Sequence, residues 1–226
     1  MWLGMDTATD RASVALGAPG VVFASETIVG ARRHAAALLP AIEVCLARAG
    51  GSYADLEGLV LADGPGSFTG LRVGATVARG LLRVRPVPLW VAPSLLVCAA
   101  GAGAGSQETV LASSNALRGE LFAAAYRFSP GRVETVLAPT VLSPVELRSR
   151  VPDPARLAGP AAATLGGQPS WPEAAGLIRL IGQDGGVRLI EDVTGWEPEY
   201  GRPAEAQAKW EREHGRPLAD PAGSGL

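Results

Sequence analysis

Two stretches of the chain carry residue types that could do chemistry. One is Asp63-Gly64-Pro65-Gly66-Ser67-Phe68-Thr69-Gly70, a glycine loop between an apolar run and a helical pattern; the other is Asp6-Thr7-Ala8-Thr9, an acid at a strand end followed by hydroxyls. A glycine loop leading into a helix could cradle phosphate, because free backbone N–H groups at a helix N-terminus attract anions. Letter by letter that reading weakens. A Walker A loop needs Gly-Lys-Ser/Thr, whereas Lys209 is the only lysine, and the dinucleotide pattern fails because Thr69 stands where a third glycine is required. Pro65 removes one N–H from any anion nest. A turn followed by a close-packed helix fits the loop better than direct phosphate binding. Other chemistries have little material. His34 and His214 are the only histidines, without i+4 histidine partners, Cys45 and Cys98 lack metal-ligand spacing, and no G-x-S-x-G elbow occurs.

The elements that must position these stretches follow from the patterning. Residues 58–62 form a short uncharged apolar run, as expected of a strand covered on both faces. Gly64-Pro65-Gly66 forces a turn, and Ser67 or Thr69 can cap the helix predicted over 71–83. Gly66, Gly70, Gly74 and Ala78 recur every fourth residue, so one helical face is nearly bare and another backbone can approach it closely. Arg72, Thr76, Arg79 and Arg83 fall on one stripe of the same helix, either a solvated face or the rim of an interface. Upstream, residues 3–6, 12–16 and 21–26 predict an antiparallel meander. A helix follows over 38–49, with Pro40 kinking it or marking its effective start. Residues 87–91 and 93–100 predict a further strand and helix. The order of three strands, helix, strand, helix, strand is that of a ribonuclease H-like lobe.

After the linker Gly101-Ala102-Gly103-Ala104-Gly105 the order partly recurs, with strands over 110–113, 121–128, 133–141 and 156–158 and helices from Pro144 and over 172–181. The expectation is an α/β protein of two ribonuclease H-like lobes with mixed sheets, divided as 1–104 and a smaller 105–226 that ends in a charged helix over 203–214 and a frayed tail from Arg216. His34 is expected at a surface or at a helix start.

Composition bounds the function. At 226 residues with 47% hydrophobic and 19% charged side chains, the chain can bury a substantial core. A net charge of −2 and a pI near 5.8 provide no bulk field for nucleic acid, so any RNA contact must be local or supplied by a partner. Two isolated cysteines fit a reducing cytoplasm, and the opening Met1-Trp2-Leu3-Gly4-Met5-Asp6 lacks a basic signal-peptide region. The uncharged run 86–107 is long enough to span a bilayer, but Pro88, Pro93 and the glycine run break it into core elements.

Asp6-Thr7-Ala8-Thr9 is placed like the first phosphate loop of actin-like ATPases. Those enzymes need a second acid in the second lobe, where this chain carries Ser113-Ser114-Asn115. Together with Arg33-His34, Leu38-Leu39-Pro40, Arg118-Gly119-Glu120 and the run Gly64-Pro65-Gly66-Ser67-Phe68-Thr69-Gly70-Leu71-Arg72-Val73-Gly74, it closely resembles the TsaB (YeaZ) family. The match covers roughly the first 128 residues. Where that family often has an acid and two arginines, this chain has Asn115-Ala116-Leu117, and Tyr200-Gly201-Arg202 has glycine where an apolar residue is commoner.

The resemblance implies an actin-like architecture and an accessory, non-catalytic role in making N6-threonylcarbamoyladenosine at position 37 of transfer RNA. It implies docking to a TsaD-like catalytic subunit, recruitment of a TsaE-like ATPase, homodimers when alone, and only indirect contact with tRNA. Nucleotide (ATP or ADP) and metal are expected on the partners, with none bound independently and no membrane attachment. Pairing is implied through the first two helices, with Arg33, His34, Leu38, Ile42, Thr69, Gly70, Arg72, Val73, Gly74, Val77 and Ala78 at the interface. Asp6, Thr7, Thr9, Gly64 and Gly66 are expected to form a degenerate phosphate loop. On this reading the bare glycine ridge receives the partner, so Gly74→Leu would block docking and spare the fold. The alternative is a small stand-alone actin-like ATPase or sugar kinase.

Overall fold

Trp2–Asp6 (β1), Arg11–Ala18 (β2) and Val21–Val29 (β3) form an antiparallel meander, with Asp6 opposite Ser13 and a register shift at Leu16/Gly17. The computed structural model describes residues 1–30, 33–102, 107–116, 118–151 and 156–201. The helix expected over 203–214, the tail from Arg216 and part of the glycine linker lie outside the described residues.

His34–Arg48 (α1) leads through a 3-10 turn at Tyr53–Asp55 into Gly58–Ala62 (β4), every residue of which is buried. β4 lies parallel to β1, as its unbroken apolar run requires. α1 begins at His34, ahead of Pro40, which neither starts nor ends it. Pro40 and Ala36 are both exposed, so the carbonyl that loses its intrahelical donor lies on the solvent side. Phe68–Val84 (α2), Leu89–Ala92 (β5) and Ser94–Gly101 (α3) complete the first unit, with β5 parallel to β4. The uncharged run 86–107 thus supplies β5 and α3, and among the described residues no helix is long and apolar enough to cross a membrane.

The second unit repeats the plan. Thr109–Asn115 (β6), Leu121–Ser129 (β7) and Arg132–Leu142 (β8) form a meander, Pro144–Arg150 (α4) crosses over, and Arg156–Ala158 (β9) returns parallel to β6. The order β8-β7-β6-β9 reproduces β3-β2-β1-β4 of the first sheet, the two-lobed actin-like arrangement.

The chain does not divide cleanly after residue 104. Ala174–Leu180 (α5) packs on β1, β2 and β4, and Arg188–Ile190 (β10) adds an antiparallel strand to β5, so both belong to the first lobe. α3 in turn covers β6 and β7 of the second lobe and packs against α5. This exchange places one apolar layer between the sheets, including Leu95, Leu96, Tyr126, Leu177 and Ile178. A separate layer under α1 and α2 holds Leu3, Met5, Leu38, Ile42 and Ala78, and α4 closes a third over Leu111 and Ala123.

Candidate functional site

The glycine ridge that runs from Gly66 into α2 is occupied by the chain's own β1–β2 hairpin, by backbone at Gly66 and Gly70 and by a side chain at Gly74. A Cβ at Gly66 would lie 2.4 Å from the Ala8 carbonyl oxygen, one at Gly70 2.1 Å from that of Thr7, and one at Gly74 2.6 Å from Thr7 Oγ1. Ala78 continues the ridge into the core and is fully buried. The spacing thus marks a close backbone approach, but the approaching backbone is the β1–β2 hairpin.

Several expected interface residues are corrected by this geometry. Gly70, Gly74 and Ala78 face their own lobe, and Leu38 and Ile42 on α1 are fully buried against the same sheet. His34 stands at the helix start but is 2% exposed, its Nε2 lying 3.4 Å from the Asp10 carbonyl oxygen rather than at a surface. What remains outward is Arg33, Thr69 and Arg72, all exposed, with Val73 and Val77 half-buried. Thr69, Arg72, Val73 and Val77, joined by Ala35, Phe68 and Thr76, line a groove of about 450 Å³.

The phosphate-loop residues are also brought together, with their hydrogen-bonding groups directed inward. Gly64 has a φ of +115°, which favours glycine, and its N–H donates to Ser94 Oγ at 3.0 Å. Ser67 N–H donates to the Ala8 carbonyl at 2.7 Å, and Ser67 Oγ caps α2 by accepting from Gly70 N–H at 3.2 Å. Thr7 is buried against α2, and Thr9 Oγ1 accepts from Arg11 N–H at 3.1 Å. Asp6 is fully buried; Oδ1 accepts from Ala8 N–H at 3.1 Å and Oδ2 has no partner among the described residues. Burial pushes the Asp6 carboxyl up to about 7, against the pull of the Ala8 and Thr7 N–H groups. Asp63 is pushed up to about 7 by burial and by Glu199, opposed by Arg188, whose guanidinium donates to Oδ2 at 3.2 Å. The described residues contain no group of three or more His, Cys, Asp or Glu placed to hold a metal ion.

Residues 191–201 form a strap over this region that periodicity does not reveal. Trp196 is buried beneath α2, Glu199 N–H donates to the Asp63 carbonyl at 2.7 Å, and the Glu199 carbonyl oxygen lies where a Cβ of Gly64 would be. Arg79 does not join an outward stripe with Arg72 and Arg83. It donates to the carbonyls of Val193 and Trp196 and pairs with Glu197.

A protein described as tRNA threonylcarbamoyladenosine biosynthesis protein TsaB from Escherichia coli K12 is 33% identical to this chain over 83% of it and 80% of that protein. The chain belongs to the TsaB (YeaZ) family. A Bacillus subtilis 168 protein with the same TsaB description is 29% identical over 60% of this chain and 58% of its own length. The family model described as TsaD, tRNA N6-adenosine threonylcarbamoyltransferase, matches residues 26–166, so TsaB and TsaD sequences share a common pattern across α1, α2 and most of the second lobe. Among solved structures, a Pseudomonas aeruginosa protein described as similar to peptidase YeaZ superposes with a TM-score of 0.72 at 26% identity, covering 89% of this chain and 99% of that one. A second, described as YeaZ from the same organism, gives 0.66 at 26% identity over 80% and 90%. The run Gly64–Gly74, on which the resemblance to this family was read, coincides with the segment that seats α2 on the β1–β2 hairpin and leaves the groove on its far side.

Proposed function

We propose that the chain is a non-catalytic subunit of a tRNA N6-threonylcarbamoyladenosine modification apparatus, acting in the cytoplasm and docking a TsaD-like catalytic subunit through the α1–α2 groove. The carrying observation is the groove itself. Phe68 and Val73 contribute apolar surface beside exposed Thr69, Arg72 and Thr76, a pattern suited to a helix laid against α2 with arginine at the rim. The TsaD model spans both helices, so the catalytic relative carries an equivalent pair and the two can meet about a pseudo-two-fold axis. The same face serves a homodimer when the partner is missing. ATP or ADP and metal belong to the TsaD-like and TsaE-like partners. A TsaE-like ATPase joins the docked pair, and tRNA reaches the chain only through them. The internal hydrogen bonding of the glycine loop supports this division over a stand-alone ATPase or sugar kinase.

The test is co-purification with the TsaD-family subunit of the same organism, followed by a tRNA modification assay with and without this chain. Val73→Asp places a carboxylate in the groove and is expected to weaken the complex by about 100-fold or more, while costing the isolated chain only about 1 kcal/mol. Thr76→Trp, at an exposed position, is expected to reduce binding without a change in melting temperature. Wild-type complex formation by both variants would remove the groove from the mechanism.

A further inference from the structure

Beyond the helix pair, the strap brings a second set of side chains to the end of the groove. The Phe68 ring, 38% exposed in the first turn of α2, has the Arg72 guanidinium 5.3 Å from its centroid and the Tyr200 ring at 4.5 Å, tilted by 46°. Tyr200 is held from behind: its hydroxyl donates to Glu197 Oε2 at 2.9 Å, and Glu197 Oε1 lies 3.4 Å from Arg79. Partial burial and the Glu197 contact push the phenol up to about 12, which keeps it a donor throughout the neutral range. The strap is fixed on either side of Tyr200. Trp196 is seated in the core under α2, its carbonyl accepting from Arg79, and Gly201 lies where a Cβ would meet Phe122 and Pro65 at 2.7 Å each. A partly exposed aromatic pair braced through the Tyr200–Glu197 hydrogen bond and flanked by an arginine has the composition of an interface anchor, since bracing lowers the side-chain entropy lost on binding.

We propose that Tyr200, positioned by Glu197 and Arg79, is a contact residue for the docked subunit, so that the partner surface runs from the α1–α2 groove across Phe68 onto the strap. This rests on the docking reading above and extends the same interface. Its occupant is the TsaD-related subunit, because the aromatic pair is continuous with that groove through Phe68, which lines both. Arg72, exposed beside the Phe68 ring, calls for a carboxylate on the partner facing it.

The experiment measures binding of the purified TsaD-family subunit of the same organism to the full chain by titration calorimetry, comparing wild type with Tyr200→Ala, Glu197→Gln and Val73→Asp. Tyr200→Ala is expected to weaken the complex by about tenfold or more, and Glu197→Gln, which keeps the ring and slackens its tether, by about two- to fivefold. Tyr200→Ala binding within about twofold of wild type while Val73→Asp abolishes binding would overturn the strap contact and leave the docking groove in place. Unchanged binding in all three variants would overturn both. Where Tyr200→Ala melts early, amide exchange on the wild-type protein decides: slowing at 196–201 on complex formation supports the contact, and unaltered exchange there overturns it.

Discussion

Gly70→Ala is expected to destabilise the chain by about 3 kcal/mol and to lower its melting temperature by about 6 to 12 °C, although only one methyl group is added. The new Cβ would lie 2.1 Å from the Thr7 carbonyl oxygen, a backbone atom in the hairpin that leads directly into β2. That hairpin cannot withdraw freely, because the Asp10 carbonyl accepts from Gly30 N–H and the Asp10 carboxylate lies 3.3 Å from the Trp171 indole nitrogen. Helix α2 cannot withdraw either, since Ala75 and Ala78 are packed in the core beneath it. The same geometry reverses the sequence-based expectation for Gly74→Leu. Thr7 Oγ1 lies 2.6 Å from the Cβ position, so the variant should lose stability first and docking only as a consequence. Gly80 lies on the same helix with nothing within 4 Å of a Cβ, and Gly80→Ala should stabilise by about 0.5 to 1 kcal/mol through helix propensity. Urea unfolding of Gly70→Ala and Gly80→Ala compares two identical substitutions on one helix. Equal stabilities would mean that the hairpin does not press on the ridge.

These opposite outcomes show where sequence patterning stops. The β4, loop and α2 succession was legible, the strand to the residue and the helix with a start three residues late, because an uninterrupted apolar run, Gly-Pro-Gly and a hydroxyl cap are local signals, while Ser67 and Thr69 could each supply that cap. The four-residue glycine spacing correctly announced a close backbone approach. It could not say whose backbone, since periodicity describes one helix and the hairpin meeting it lies some 60 residues earlier in the chain. Arg79 failed for the same reason: its spacing from Arg72 and Arg83 places it on a stripe, but its carbonyl partners come from residues 193 and 196. β10 is three residues long and carries no periodic signal, so the return of the chain to the first lobe was not legible. The duplicated strand order was legible, because both meanders are bounded by turn residues and followed by a helix.

Asp6→Asn is expected to stabilise the chain above neutral pH and to remove about half of a pH dependence that the wild type should show. The Asp6 carboxyl rises from its ordinary value of 3.8 to about 7 in the folded chain because burial penalises the charged form. Between those values the folded state holds a proton that the unfolded state has released, so the stabilising contribution is complete below about pH 4 and is lost as pH rises through 7. At about 1.4 kcal/mol per pKa unit the span is about 4 kcal/mol for one group. Asp63, also raised to about 7, supplies a second contribution of the same sign. Asparagine can still accept from Ala8 N–H through its amide oxygen, but its NH₂ inherits the position of Oδ2, which has no described partner, at a cost of about 1 to 3 kcal/mol. The net gain at pH 8 is therefore about 2 kcal/mol, measured as urea unfolding of both proteins from pH 5 to pH 8. Identical pH slopes would mean that Asp6 is ionised throughout. A carboxyl still half protonated near pH 7 is a poor orienter of metal-bound water, and its ionisation through that range costs the lobe stability. The acid of this hairpin is thus buried and packed, and the hairpin as a whole serves as the seat on which α2 presents its outer face.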